Sequence, residues 1–329
     1  MQNSNKLLQA IGIPYTALLS VMLGLFLVSF PMGIYVVFES EIGDDINFEY
    51  PFSYLKLFEG TSFYQSNVDV SIGDVFVVLW IFYVILFTIA LLGPKQNFLK
   101  SISPMISSGN FFSKLNYMVG VTKWFSILIL VSALINTVQE KFGIVITSPT
   151  ATNDLIQFFY VSLAPVMEEF GFRLLLIGIP LFALYSNRSS LKYFLKSLWN
   201  PDNLNIYDSK KAILLIVFVG VLFGFAHIAF GESWSHGKFA QATASGIILG
   251  WVYLRYGFVA SVLIHWATNY FIFSYANFVS QLNSISLESA FSHSLMSSLE
   301  LLFLVCGAVS VSVLFTSRFF SKTEFDLEV

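Results

Sequence analysis

Eight stretches of this chain are too long and too apolar to lie on a water-exposed surface, and they limit the fold more than any motif does. They cover residues 13–38, 74–92, 117–138, 154–185, 211–230, 239–256, 258–280 and 295–317. A hydrocarbon layer about 30 Å thick is crossed by roughly 20 apolar residues in a helix. Inside that layer a backbone must satisfy its own N–H and C=O groups, which a helix does. Composition points the same way: 56% of residues are hydrophobic and 11% charged, where a soluble domain carries about 25% charged residues. The expected fold is all-α, a polytopic membrane protein of about eight transmembrane helices. The first stretch is longer than the roughly 7–15 apolar residues of a signal peptide and reads as a retained helix.

The loops give an orientation. Counting only Lys and Arg, thirteen fall on one side of the alternating connections, three (Lys56, Lys141 and Lys238) fall on the other, and Arg173 is left within a stretch. By the positive-inside rule the lysine-rich side is cytoplasmic, and both termini lie there. A net charge of −3 without a basic stripe excludes a nucleic-acid partner. The single cysteine, Cys306, excludes an internal disulfide framework and any multi-thiolate metal site. Three regions follow: an N-terminal three-helix region at 1–151 with an acidic, aromatic-rich outer loop at 39–73, a helical core at 152–280, and a last transmembrane helix with a cytoplasmic tail at 281–329.

Ionisable groups inside membrane spans cost roughly 2.5–3.5 kcal/mol each on insertion scales and usually mark function. The fourth stretch holds three of them, Glu168, Glu169 and Arg173, near its middle. Glu169 and Arg173 are four residues apart, share a helix face and can form a structural ion pair. Glu168 is turned about 100° away. Its i+3 and i+4 neighbours are Gly171 and Phe172, so its partner has to come from another helix. The fifth stretch offers His227, four residues after Phe223, and the seventh offers His265 and Asn269, one turn apart. Taken singly, each is as readily a helix-packing group as a reagent. Together a spare carboxylate, two imidazoles and a carboxamide are an inventory for hydrolysis: a base for water, imidazoles for proton transfer or a metal, and an oxyanion donor. On the sixth stretch, Gly246 and Gly250 have the spacing that lets helices approach closely.

At these residues the sequence resembles the CPBP family, the CAAX-processing and bacteriocin-processing membrane proteases also called Abi or Rce1-like. That family is marked by E-E-x-x-x-R, F-x-x-x-H and H-x-x-x-N on separate helices. Here the three stand in order as Glu168-Glu169 with Arg173, Phe223 with His227, and His265 with Asn269. The resemblance covers about residues 152–280. It implies an intramembrane endopeptidase in which Glu168 activates water, His227 assists it, and His265 with Asn269 stabilises the oxyanion, with Glu169 and Arg173 as the structural pair. Two mechanisms are compatible with such a set. One is a glutamate protease without a cofactor. The other is a metalloprotease in which Glu168, His227 and His265 hold zinc with one position left for water. The metal-free form keeps each residue in one role and is preferred.

The expected substrate is a membrane-associated peptide or protein, prenylated or membrane-inserted, and the expected location is a multi-pass position in the bilayer (plasma or inner membrane if the source is bacterial). The rival readings are a non-proteolytic immunity or scaffold protein that binds another membrane protein, and a transporter using the same groups as a proton relay. A ruler of 1.5 Å per residue leaves a difficulty, since Glu168, His227 and His265 fall at depths differing by on the order of 10–15 Å.

Overall fold

The computed structural model describes residues 2–46, 71–109, 111, 116–146, 153–206, 209–229 and 235–325. Most of the acidic loop, with all of its aromatic residues, lies outside the described residues. Eight long helices coincide with the eight apolar stretches. They are α1 (Gln2–Phe38), α2 (Ile72–Leu92) and α3 (Tyr117–Lys141), then α4, which runs without a break through Asp154–Glu169, Phe170–Gly178 and Ile179–Tyr185. After it come α5 (Ser209–Ala229), α6 (Lys238–Tyr256), α7, which joins Phe258–Trp266, Ala267–Phe271 and Ile272–Asn283, and α8 (Ser294–Phe325). Five of them, α1, α2, α3, α5 and α8, hold stretches long and apolar enough to cross a membrane. The middle pieces of α4 and α7 are π-helical.

Polar residues at helix ends account for charges that would otherwise be out of place. Asp74 heads α2 in a capping box with Ser71, accepting from the Ser71 backbone at 2.9 Å while its own N–H donates to the Ser71 hydroxyl at 3.1 Å. Asn116 caps α3 through Oδ1 and donates through Nδ2 to the carbonyls of Leu91, Gly93 and Gln96, fastening the end of α2 to the start of α3. Short helices occupy loops that the sequence left unstructured: Phe98–Ser108 and Leu191–Trp199. The second exposes Leu191, Leu195 and Trp199 along one stripe beside Lys192 and Lys196, the pattern of a helix lying at a membrane surface.

α7 is the axis of the bundle. Every residue from Phe258 to Ala267 is buried, as expected of a helix apolar on all faces. Trp266 meets Phe26 and Phe30 of α1, Tyr83 and Phe87 of α2, and Tyr270 on its own helix, with ring centroids 4.9–5.9 Å apart. The N-terminal helices therefore pack on the helix that carries His265.

Glycines set the distance between α5 and α6. A Cβ at Gly246 would come within 3.0 Å of Gly220 Cα and Phe223 Cβ, one at Gly220 within 2.9 Å of the Ile247 nitrogen, and one at Gly224 within 2.0 Å of Thr243 Oγ1. The small residues singled out in the sixth stretch thus face α5, Gly250 against Ile216 included. Gly246→Leu is expected to push α6 off α5 at a cost of about 1–3 kcal/mol, and to displace Phe223 with it. A lowered unfolding temperature in detergent, read beside Gly24→Leu, where a Cβ meets nothing within 4 Å, checks this.

Candidate active site

The site grows from one buried carboxylate. Glu169, at the last α-helical position before the π turn of α4, is fully buried. Its Oε2 lies 3.0 Å from Arg173 Nε and accepts from the Ser261 hydroxyl, and its Oε1 lies 3.0 Å from His265 Nδ1. An ionised carboxylate in such surroundings persists only when its lone pairs are met, and here three side chains from two helices meet them. A carboxylate accepts, so His265 Nδ1 carries the hydrogen, and the lone pair of the neutral ring is then at Nε2.

Nε2 faces Glu168. Glu168 Oε2 lies 3.8 Å from it, buried and without a hydrogen-bond partner among the described residues, while the side chain as a whole keeps 31% exposure. The side chain therefore straddles the boundary between packed protein and its surface. A separation of 3.8 Å is too long for a hydrogen bond. It suits a water forming the third corner of a triangle at about 2.8 Å from each group.

Phe223 ties α5 into the cluster. The Arg173 guanidinium sits over its ring at 4.8 Å, and both terminal nitrogens of Arg173 are buried without a hydrogen-bond acceptor among the described residues. The aromatic face takes that place as a cation–π contact. The same ring lies 5.0 Å from Phe172, 4.6 Å from His227 and 5.9 Å from His265. The Phe223 carbonyl is 2.9 Å from His227 Nδ1. A carbonyl only accepts, so Nδ1 donates, and the neutral ring offers Nε2 as its acceptor. His227 is half-buried and interacts electrostatically with Glu168.

Asn269 is half-buried one turn beyond His265. The Thr268 hydroxyl donates to the His265 carbonyl at 2.8 Å, and Asn269 Oδ1 lies 3.2 Å from the same hydroxyl oxygen.

Glu168 and His265 thus come together, with Glu169 and Arg173 paired behind them, and His227 joins through Phe223. The depth difficulty divides accordingly. Glu168 stands fourteen residues after Asp154 and His265 seven after Phe258, about 21 Å and 10 Å along their helices, and the 3.8 Å separation of their side chains puts the two at one level. His227, two residues before the end of α5, lies nearer that end, and Phe223 one turn earlier makes the contact. One further residue belongs to the cluster. Ser261, four residues before His265, shares its helix face, so extending the H-x-x-x-N spacing one turn back would have found it. Lys238, counted among loop charges, is the half-buried first residue of α6.

Among the described residues, no three His, Cys, Asp or Glu side chains are grouped so as to hold a metal ion.

Residues 152–271 match the family model described as type II CAAX prenyl endopeptidase Rce1-like. Over these residues, about a third of the chain, it is similar to that family. It is the family that the three motifs resemble, and the matched segment contains all of the residues above. No curated protein and no solved structure matches the chain. Five helices long and apolar enough to cross a membrane accompany the segment that is similar to this family.

Within the matched segment the two glutamates should separate stability from chemistry. Arg173→Met strands the Glu169 carboxylate in the interior and is expected to cost about 3–5 kcal/mol. Glu168→Gln removes a charge whose buried oxygen has no partner and should change stability by less than about 1 kcal/mol. Denaturation of both variants in detergent measures the difference, and equal losses would contradict it.

Proposed function

We propose that the protein is an intramembrane endopeptidase that hydrolyses a peptide bond of a membrane-associated substrate with water activated by Glu168. The observation that carries this reading is the partnerless Glu168 Oε2 held 3.8 Å from His265 Nε2, with the other nitrogen of that ring fixed by Glu169. A scaffold needing only a buried ion pair has it in Glu169 and Arg173, and Glu168 would be a cost without a use.

The chemistry follows from the hydrogen-bond directions. A water between Glu168 and His265 loses a proton to Glu168 as its oxygen adds to the scissile carbonyl. Asn269 donates through Nδ2 to the developing oxyanion. His265, its Nδ1 held by Glu169, accepts the water's second hydrogen at Nε2 and orients it. The tetrahedral carbon then expels the amine, which takes the proton from Glu168 as the C–N bond breaks. Between these steps His227 Nε2 accepts a hydrogen bond from the protonated Glu168. No metal is required, and each side chain keeps one role. The family description supports a prenylated peptide C-terminus as the substrate class. In this reading α4, α6 and α7 complete eight crossings, and both termini are cytoplasmic.

Glu168→Gln is expected to lower kcat by about 10²–10⁴-fold, the usual worth of a general base. Purified protein in detergent, assayed on a quenched farnesyl-cysteine peptide, measures it. A wild-type rate kept by this variant would end the peptidase reading in favour of a non-proteolytic partner. The wild-type rate should also survive dialysis against a zinc chelator, and a loss restored by added zinc would replace the glutamate mechanism with a metal one.

A further inference from the structure

Between Glu169 and Asp202 the chain has no acidic residue, yet after the buried Arg173 it places Arg188, Lys192 and Lys196 close together. Lys192 and Lys196 are one turn apart on the surface helix Leu191–Trp199, and both are exposed. Tyr193 stands on the next row of that helix, and the exposed Arg188 guanidinium lies 5.5 Å from its ring centre. Three cations therefore share one edge of the helix, and among the described residues none of them has an ion pair. Like charges four residues apart weaken a helix unless a counter-ion joins them.

Water and salt would suffice for lysines alone, and it is the neighbouring row that makes this edge different. Leu191, Leu195 and Trp199 are 73%, 56% and 42% exposed, and their row is turned about 100° from that of the lysines. The rest of the helix is fixed to the protein. Phe194 meets Phe182 near the end of α4 at 4.9 Å, the Tyr253 hydroxyl near the end of α6 donates to the Leu198 carbonyl at 2.7 Å, and the Trp199 ring lies 5.9 Å from Phe258 at the start of α7. Three long helices end or begin here, so the surface helix is held at the depth where apolar segments give way to loops. An amphipathic helix at that depth sets its apolar row among acyl chains and its basic row among headgroups. A ligand that fills both rows has hydrocarbon joined to phosphate, which is a phospholipid. A zwitterionic headgroup would bring its own ammonium against three cations, and an anionic one does not.

We propose that Arg188, Lys192 and Lys196 form a binding site for the headgroup of an anionic phospholipid whose acyl chain lies along Leu191, Leu195 and Trp199. The site is separate from the Glu168 cluster and holds whether or not the chain is a peptidase.

The test reconstitutes the full-length protein in dioleoyl phosphatidylcholine vesicles doped with a lipid brominated on its acyl chains, either a phosphatidylglycerol or a phosphatidylcholine. Bromine quenches a tryptophan that it touches, and the difference between wild type and Trp199→Phe isolates the Trp199 emission. Half-quenching of Trp199 is expected at a mole fraction of the phosphatidylglycerol about 10–100-fold lower than of the phosphatidylcholine, since each basic residue near an anionic surface is worth about fivefold. Lys192→Gln combined with Lys196→Gln should bring that ratio below about fivefold. Lys95→Gln combined with Lys100→Gln, which removes two exposed charges at the other short helix, should leave it unchanged. A wild-type ratio near one, which needs no variant to fold, overturns the proposal. An equal fall in the Lys95 and Lys100 variant does so too, because the preference would then belong to the whole charged face. Displacement of the brominated phosphatidylglycerol by millimolar glycerol phosphate also overturns it, since the ligand would be a free phosphate and not a lipid.

Discussion

The Glu169 carboxylate is the constraint on which the rest of the site depends. Left unpaired in the centre of a helical bundle it would not stay ionised. Arg173 supplies its charge partner from the same helix, and Ser261 and His265 supply hydrogen bonds from α7. Those contacts do two things at once. They lock α4 against α7 in a single register, and they fix the His265 ring with its Nε2 toward Glu168. A histidine whose far nitrogen is held by a carboxylate has one tautomer and one orientation, so the geometry of the reacting gap is a by-product of satisfying a buried charge. The two adjacent glutamates are chemically alike and differ only in direction: one faces three partners, and the other faces the crevice.

Phe223 extends that logic to a third helix. It is apolar and carries no proton, yet its ring covers the guanidinium left short of acceptors, and its carbonyl sets the tautomer of His227. The contact depends on α5 and α6 lying close together, which Gly220, Gly224 and Gly246 permit. A change of packing at those glycines therefore reaches the site through one aromatic ring, without touching an ionisable group.

Much of this was legible in the sequence because membrane insertion leaves few options. Apolar runs of the right length could only be helices, and the i,i+4 rule alone predicts the Glu169 and Arg173 pair. What the spacing could not give was the identity of the partner that Glu168 lacked, since that depends on how α4 and α7 cross. Ser261 was missed because serine is common in apolar helices and carries no charge to draw notice. Lys238 was missed for the opposite reason: the topology count treats every lysine near a span end as a loop charge. It begins a helix instead, and the segment before it is joined to the end of α3 by Gln139 and to the residues after α3 by Ser235. The short helices at Phe98–Ser108 and Leu191–Trp199 are too polar and too brief for a span search to register.

The backbone marks the site independently of any motif. Among the described residues, π-helical turns occur in two helices, directly after Glu168 and Glu169 in α4 and directly after His265 in α7. Such turns are rare and cluster at functional positions, because shifting the hydrogen bond from i→i+4 to i→i+5 weakens the helix and rotates everything beyond it. Both i,i+4 pairs, Glu169 with Arg173 and His265 with Asn269, begin in an α turn and end in the wider one. The neighbours leave little room for either helix to relax. Gly178, closing the first π segment, lies so near Tyr253 that a Cβ would come within 2.4 Å of its hydroxyl, and that hydroxyl is itself bonded to the Leu198 carbonyl at 2.7 Å. Tyr270, inside the second, is buried and stacked between Trp266 and Phe158. Two weakened turns held open by surrounding packing, each close to one of two facing ionisable groups, are hard to explain as helix-packing devices. They follow naturally if the helices must present a carboxylate and an imidazole to one hydrated point.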